Sequence, residues 1–396
     1  MHRRSFLKLL AASLTGLTAT SRLYALPKIE ERFLLVFLRG GYDATNTLIP
    51  YSSQFYYEAR PNIAIAKPDS TNTKAALTLT TDWALHPALR SNILPLYQQG
   101  QVAFIPFAGT NDNTRSHFET QDTLELGQPL TERRDYSSGF LNRLVAVLSG
   151  VQAVAFTETL PLSCKGSANI ANLSLKGNPN LILAERESNI LAEMYQGMNY
   201  DKYIKESYAI RQEFSNDLKS EMVQASRGAI LSKGFELEIE RVAIMMKENY
   251  NIGFIDVGGW DTHQNQGGAE GDLANKMTNL SNGLATFAQE MGSLWNKTVV
   301  LVISEFGRTF KENGNQGTDH GHGSVYWVLG GGLKGGRVIG EQIQITANHL
   351  FENRDYPVLN EYRGIIGGLF QKQFGLSENV LQKIFPSGKF INLDLL

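Results

Sequence analysis

Six short apolar runs constrain this chain more than any other feature: residues 33–38, 102–107, 154–157, 253–257, 299–303 and 325–329, each ending in glycine or polar residues. Such runs, apolar without alternation, are the mark of strands buried on both faces. Between them lie helical patterns. Leu273, Met277, Leu280, Leu284, Phe287, Met291 and Leu294 recur every three or four residues, one stripe on a long helix. Leu89, Ile93 and Leu96 mark a shorter helix, and 235–246 reads as a well-buried one. Strands alternating with helices predict an α/β layered fold around a mainly parallel sheet. Residues 185–250, rich in Glu, Lys, Met and Tyr with few strand signals, read as a helical insertion or cap over that sheet. One mature domain over 27–396 is the simplest organisation.

Residues 1–26 stand outside this fold. Arg3-Arg4-Ser5-Phe6-Leu7-Lys8 precedes a short, moderately apolar stretch, with Arg22 beyond it. This pattern predicts a twin-arginine export signal. The alternatives are an amphipathic helix or a membrane anchor, but the stretch is too short and too rich in Ser, Thr and Gly to span a bilayer well. Nothing else approaches about 18 consecutive apolar residues, so no stable membrane insertion is expected after signal removal. The expected destination is the periplasm or the exterior. Its export partner, the twin-arginine machinery, moves proteins already folded, often with a metal loaded. Cys164 is the single cysteine, which excludes an intramolecular disulfide framework and any Cys-rich metal site. Losing residues 1–26 removes four cations and no anions, leaving 33 Lys and Arg against 39 Asp and Glu, a net charge of −6. That balance, with no basic stripe, argues against nucleic acid as a partner.

Open α/β sheets bind ligands just past their strand ends, and the polar residues of this chain gather there. Asp43 follows the first run, Thr114-Arg115-Ser116-His117 the second, Trp260-Asp261-Thr262-His263 the fourth and Ser304-Glu305-Phe306-Gly307-Arg308 the fifth. Thr318-Asp319-His320-Gly321-His322-Gly323 comes shortly before the sixth. Of seven histidines, four (His117, His263, His320 and His322) lie in these loops, three of them within three residues of an aspartate. Imidazoles and carboxylates brought together at strand ends suit a borderline divalent cation such as zinc or manganese. Each residue also has a plainer reading. Asp43 caps a turn or ligates; Glu305 ligates or pairs with Arg308. Ser116 caps the helix starting at His117, or presents its hydroxyl at a helix N-terminus where backbone N–H groups favour an anion. Arg115 and Arg308 are surface residues, or grip a phosphate or sulfate with two nitrogens.

With Leu38-Arg39-Gly40-Gly41-Tyr42-Asp43, Leu85-His86-Pro87-Ala88-Leu89, Ser116-His117-Phe118, Gly259-Trp260-Asp261-Thr262-His263, Ser304-Glu305-Phe306-Gly307-Arg308-Thr309 and Thr318-Asp319-His320-Gly321-His322-Gly323, nearly the whole mature chain resembles the secreted domain-of-unknown-function family 1501. That family is similar in turn to the alkaline phosphatase and sulfatase superfamily. The resemblance implies a three-layer sandwich, a parallel-rich sheet between helices with one or two metals at the strand C-termini. It sets Asp43 at the superfamily's first metal-ligating acid and Ser116, or Thr114, near its nucleophile. Asp261 and His263 resemble its later Asp–His pair, with one intervening residue where alkaline phosphatases have three. Glu305 can replace an acid of the superfamily's Ser-Asp-His-Gly turn, whereas Phe306 cannot ligate, so Asp319, His320 or His322 supplies the missing ligand. Cys164 lacks the Cys-x-Pro-x-Arg context that makes formylglycine, so the chain is not an ordinary type I sulfatase.

The implied function is a secreted metal-dependent hydrolase acting on the phosphate or sulfate ester of a small molecule or glycan. Two cations about 4 Å apart would clamp the ester and activate Ser116 or water, Arg115 or Arg308 would neutralise transition-state charge, and His117 would serve as ligand or general acid. The competing readings are a non-catalytic metal-containing binding protein of the cell envelope and a phosphomutase-like transferase.

Overall fold

The computed structural model describes residues 29–175 and 226–396. The six apolar runs form the strands β1 (Arg32–Leu38), β2 (Val102–Gly109), β3 (Ala153–Phe156), β4 (Ile252–Gly258), β5 (Thr298–Ser304) and β6 (Ser324–Leu329). They lie in one sheet in the order Arg337–Val338, β2, β6, β5, β1, β4, β3, Ala171–Asn172, with Asn360–Glu361 added beside β2 and Ile230–Leu231 beside β4. Every pairing is parallel except those of β6, which runs antiparallel to both β5 and β2.

Alternate residues of β1 face opposite layers. Leu34, Val36 and Leu38 pack with Phe235, Ile239, Val242 and Met246 of α3 (Ser232–Glu248) and with Met277, Leu280, Leu284 and Phe287 of α4 (Asp272–Met291). Phe33, Leu35 and Phe37 pack with α2 (Phe140–Val147) and α5 (Tyr362–Phe374). The chain is thus a sheet between two helical layers, and burial on both faces is why its strands show no polar alternation. The apolar stripe expected to reach Leu294 leaves the helix earlier: α4 ends at Met291, before Gly292 at φ +56°, and Leu294 sits in the 3-10 turn Gly292–Lys297.

The strand ends line up. Leu38 of β1 is in register with Ser304 of β5 and Val257 of β4, so the chain leaves all three strands along one edge. Because β6 runs the other way, its first residues lie at that same edge, and the segment entering it joins the loops leaving its neighbours. The export signal expected over 1–26 and the part of the 185–250 stretch up to residue 225 lie outside the described residues. Within 226–250 are Ile230–Leu231 and α3. No helix of the described residues is long and apolar enough to cross a membrane.

Candidate functional site

Four side chains from three of these loops meet at the sheet edge. His117 is the first residue of α1 (His117–Leu126); Asp261 and His263 follow β4; His320 belongs to the segment entering β6. His320 Nε2 lies 3.0 Å from His117 Nε2, 3.1 Å from His263 Nε2 and 3.3 Å from Asp261 Oδ1. Asp261 Oδ1 is 2.9 Å from His263 Nε2, and Oδ2 is 3.5 Å from His117 Nε2. One ligand atom each of His117, Asp261 and His320 falls within 4.8 Å of the others.

The local backbone explains how His320 arrives. The 305–309 loop and the 319–322 segment pair like two antiparallel strands: Gly307 N–H donates to His322 O at 3.0 Å, Gly321 N–H to Gly307 O at 2.9 Å and Thr309 N–H to Asp319 O at 2.9 Å. The preceding turn needs glycine, because a Cβ at Gly317 would lie 2.3 Å from the backbone carbonyl of His263.

Each imidazole is oriented from behind. His117 Nδ1 faces Glu305 Oε1 at 2.8 Å, His263 Nδ1 faces Asp319 Oδ1 at 3.1 Å, and His320 Nδ1 faces the Arg115 carbonyl at 3.0 Å. All three partners only accept, so each Nδ1 carries a proton, and a ring in its neutral form holds its lone pair on Nε2. Arg115 holds a left-handed backbone, φ +54°, to present that carbonyl, a conformation of the strained kind that collects at functional sites. Lone pairs converging within about 3 Å repel unless a proton or a cation lies among them. Two nitrogens bound to one cation at about 2.0–2.1 Å in tetrahedral geometry sit roughly 3.3 Å apart, close to what is seen here. Three imidazole nitrogens and one carboxylate are a donor set for a borderline divalent cation, and their outer partners match the usual support of metal-bound histidine.

The electrostatics are those of a tightly coupled group. Burial would raise the Asp261 carboxyl, but His117, His263, His320 and Arg308 hold it far below the usual range. Burial would likewise raise Glu305; its bonds to His117 and Gln121 bring it to about 2. Against burial, which lowers it, the Asp261 and Glu305 carboxylates raise His117 to about 9. At neutral pH a proton therefore stays on His117, and any cation binding there would have to displace it.

The remaining sequence-predicted residues take other places. Glu305 is fully buried behind His117, where it also accepts from Gly40 N–H at 2.7 Å and Gln121 Nε2 at 3.0 Å. Asp319 sits behind His263 in the same way. Asp43 is fully buried and lies outside the histidine group, with Arg60 on both oxygens at 2.5 and 3.1 Å and Gln266 Nε2 at 2.6 Å. Its carboxyl is lowered, Arg60 outweighing the rise from burial. His322 packs its ring on Phe351, centroids 4.6 Å apart, and burial lowers it to about 4. Arg308 is buried, donating to Asp261 Oδ1 at 2.5 Å and to the hydroxyl and carbonyl of Thr318. Arg115 turns its guanidinium to Asp355 and Glu352 at 2.8 and 2.5 Å. Ser116 precedes α1 without a capping bond from its side chain, while the Thr114 hydroxyl is 3.5 Å from that of Thr120. The Phe306 ring walls the group, 4.9 Å from His117 and 5.2 Å from His320 between centroids.

Sequence reasoning missed the residues that brace these groups. Gln121 lies one helical turn from His117, and that i, i+4 spacing was the signal that could have found it. Arg39, given no role in the sequence reading, is buried; it bonds Gln121 at 2.9 Å, Asp256 at 2.7 Å and Glu125 at 3.0 Å. Arg60 and Gln266 carried no such signal, their partners being distant along the chain.

Over residues 30–385 the chain matches the model of the family described as "protein of unknown function (DUF1501)". No curated protein matches it. Among solved structures it is similar to a protein of the alkaline phosphatase superfamily from Vibrio parahaemolyticus, at 12% identity over 87% of this chain and 67% of that one, TM-score 0.38. It is similar to the lipoteichoic acid synthase LtaP from Listeria monocytogenes, at 8% identity over 92% and 76%, TM-score 0.40. A third is the PsFucS1 sulfatase from Pseudoalteromonas sp., at 12% identity over 96% and 77%, TM-score 0.38.

Proposed function

The chain belongs to the DUF1501 family, of unknown function, and from its own geometry we propose that it is a metal-dependent hydrolase of phosphate or sulfate esters. The observation that carries this reading is the convergence of three imidazole Nε2 atoms on the Asp261 carboxylate, every Nδ1 being tied to an acceptor. In this reading His117, Asp261, His263 and His320 hold one divalent cation, zinc or manganese. Glu305, Asp319 and the Arg115 carbonyl keep the three rings in the ligating tautomer, and Arg308 neutralises Asp261 and fixes its orientation. The bound cation supplies Lewis acidity to an ester oxygen. Ser116, with no capping bond at the N-terminus of a ten-residue helix, offers a hydroxyl where backbone N–H groups favour an oxyanion, as nucleophile or as the group that orients water. The half-exposed side chains of His263 and Asp319 leave one side open to a small-molecule or glycan ester. Export through the twin-arginine machinery, already folded and metal-loaded, completes the reading.

The test is metal content by elemental analysis of purified protein and of Asp261→Ala and His320→Ala, with turnover of chromogenic phosphate and sulfate esters. Near-stoichiometric metal lost in both variants, with turnover lost alongside it, is the expected result. Metal retained in both variants would remove the basis of the reading. A second reading, a binding protein that keeps the cation without catalysis, draws on the engagement of Arg308 with Asp261 and Thr318. Metal without turnover, and no loss of function in Ser116→Ala, would favour it.

A further inference from the structure

The charges around the centre bear on which ester it accepts, a question that rests on the hydrolase reading above. Asp261, Glu305 and Asp319 bring three carboxylates to the centre, each in contact with one of its histidines. Arg308 brings one positive charge and directs it at Asp261 and Thr318. A divalent cation among neutral imidazoles brings this set to zero. The Arg115 guanidinium is balanced by Glu352 and Asp355, Arg39 by Glu125 and Asp256, and Arg60 by Asp43. Among the described residues, neither Arg115 nor Arg308 is left without an acidic partner beside the centre. Residues 176–225, outside the described residues, carry six Lys and Arg against eight Asp and Glu, so their sequence adds no net positive charge. Among the described residues, what remains to attract an ester is the open side of the cation and the N-terminus of α1, whose dipole is equivalent to about half a positive charge.

We infer that the centre takes a monoanionic tetrahedral ester, a sulfate monoester or a phosphate diester, in preference to the dianion of a phosphate monoester. One negative charge is matched by the helix terminus and the cation's open side. A second would lie among Asp261, Glu305 and Asp319 with no further positive charge among the described residues to meet it, in a partly buried place where water screens poorly.

The experiment loads the full chain with cobalt and titrates it at pH 8 with phenyl sulfate, diphenyl phosphate and phenyl phosphate, following the visible spectrum of the bound ion. At least one monoanion should bind tenfold or more tighter than phenyl phosphate, and comparing the first two separates the sulfate from the diester source. Asp319→Asn removes one negative charge yet keeps an acceptor oxygen for His263 Nδ1. It should tighten phenyl phosphate at least threefold more than it tightens phenyl sulfate, whereas a structural lesion would weaken both alike. Phenyl phosphate binding as tightly as the monoanions, or cobalt bound with none of the three perturbing it, would overturn this inference and leave the metal centre standing. Cobalt that fails to bind would overturn the proposed function and this inference with it.

Discussion

Glu305→Gln separates charge from hydrogen bonding behind His117. Glu305 Oε1 accepts from Gly40 N–H, Gln121 Nε2 and His117 Nδ1; Oε2 is 2.9 Å from the Ser304 hydroxyl, which also lies 2.6 Å from Leu38 O. A glutamine with its oxygen in the Oε1 position keeps the first three bonds. Its amide then donates to Ser304 Oγ, leaving the hydroxyl proton for the Leu38 carbonyl. No buried group loses its partner, so the fold should stand. The charge that helps raise His117 to about 9, against burial, is gone. Loss of such an outer carboxylate costs roughly 10–100-fold in metal affinity, about 1.4–2.8 kcal/mol. Proton competition works the other way: a histidine at about 9 is only about 1% deprotonated at pH 7, and the variant holds that proton less tightly. Near pH 7 the two effects offset. Above pH 9, where competition ends, the whole 10–100-fold gap should open. Competition titration of zinc against a chromogenic chelator at pH 7, 8 and 9.5 reads this directly. A gap absent at pH 9.5, or constant across the series, would refute the reasoning.

Four further outcomes are expected. His117 sits at about 9 when folded, above the roughly 6.5 of an unfolded histidine. Its contribution is therefore complete below about pH 6.5 and lost as pH rises through 9, up to about 3 kcal/mol in the metal-free protein; thermal melts in chelator at pH 6, 7.5 and 9.5 measure it. Arg60→Met strands the buried Asp43 carboxylate and should cost about 3–5 kcal/mol by urea denaturation, against near-neutrality for exposed pairs. Gly317→Ala sets a methyl against the His263 carbonyl and should weaken zinc binding at least tenfold while far-ultraviolet circular dichroism stays unchanged, whereas His322→Ala should keep the metal.

The layered fold was legible because burial on both faces leaves a local record. Runs such as 299–303 have no polar alternation, and the spacing of Leu273, Met277 and Leu280 needs no knowledge of a partner. That β6 runs against its neighbours left no such record, since strand direction is set by where the chain has to return. The histidines stood out individually, as loop residues at strand ends. Their individual places did not: His320 and His322 are two residues apart, yet one faces His117 and the other lies against Phe351.

From residues alone came the six main strands, helices α1, α3 and α4, and the concentration of Asp and His where chain segments leave or enter the sheet; α2 and α5, on the other face, were not read. Those are short-range properties, carried by periodicity and by the chemistry of neighbouring residues. Tertiary structure alone decided which nitrogen turns inward, which carboxylate stands behind it, and that Asp43 spends its charge on Arg60. The reason is physical: ligand geometry and charge balance depend on distances of about 3 Å between groups far apart in sequence, 203 positions for His117 and His320, and no local pattern encodes such a distance.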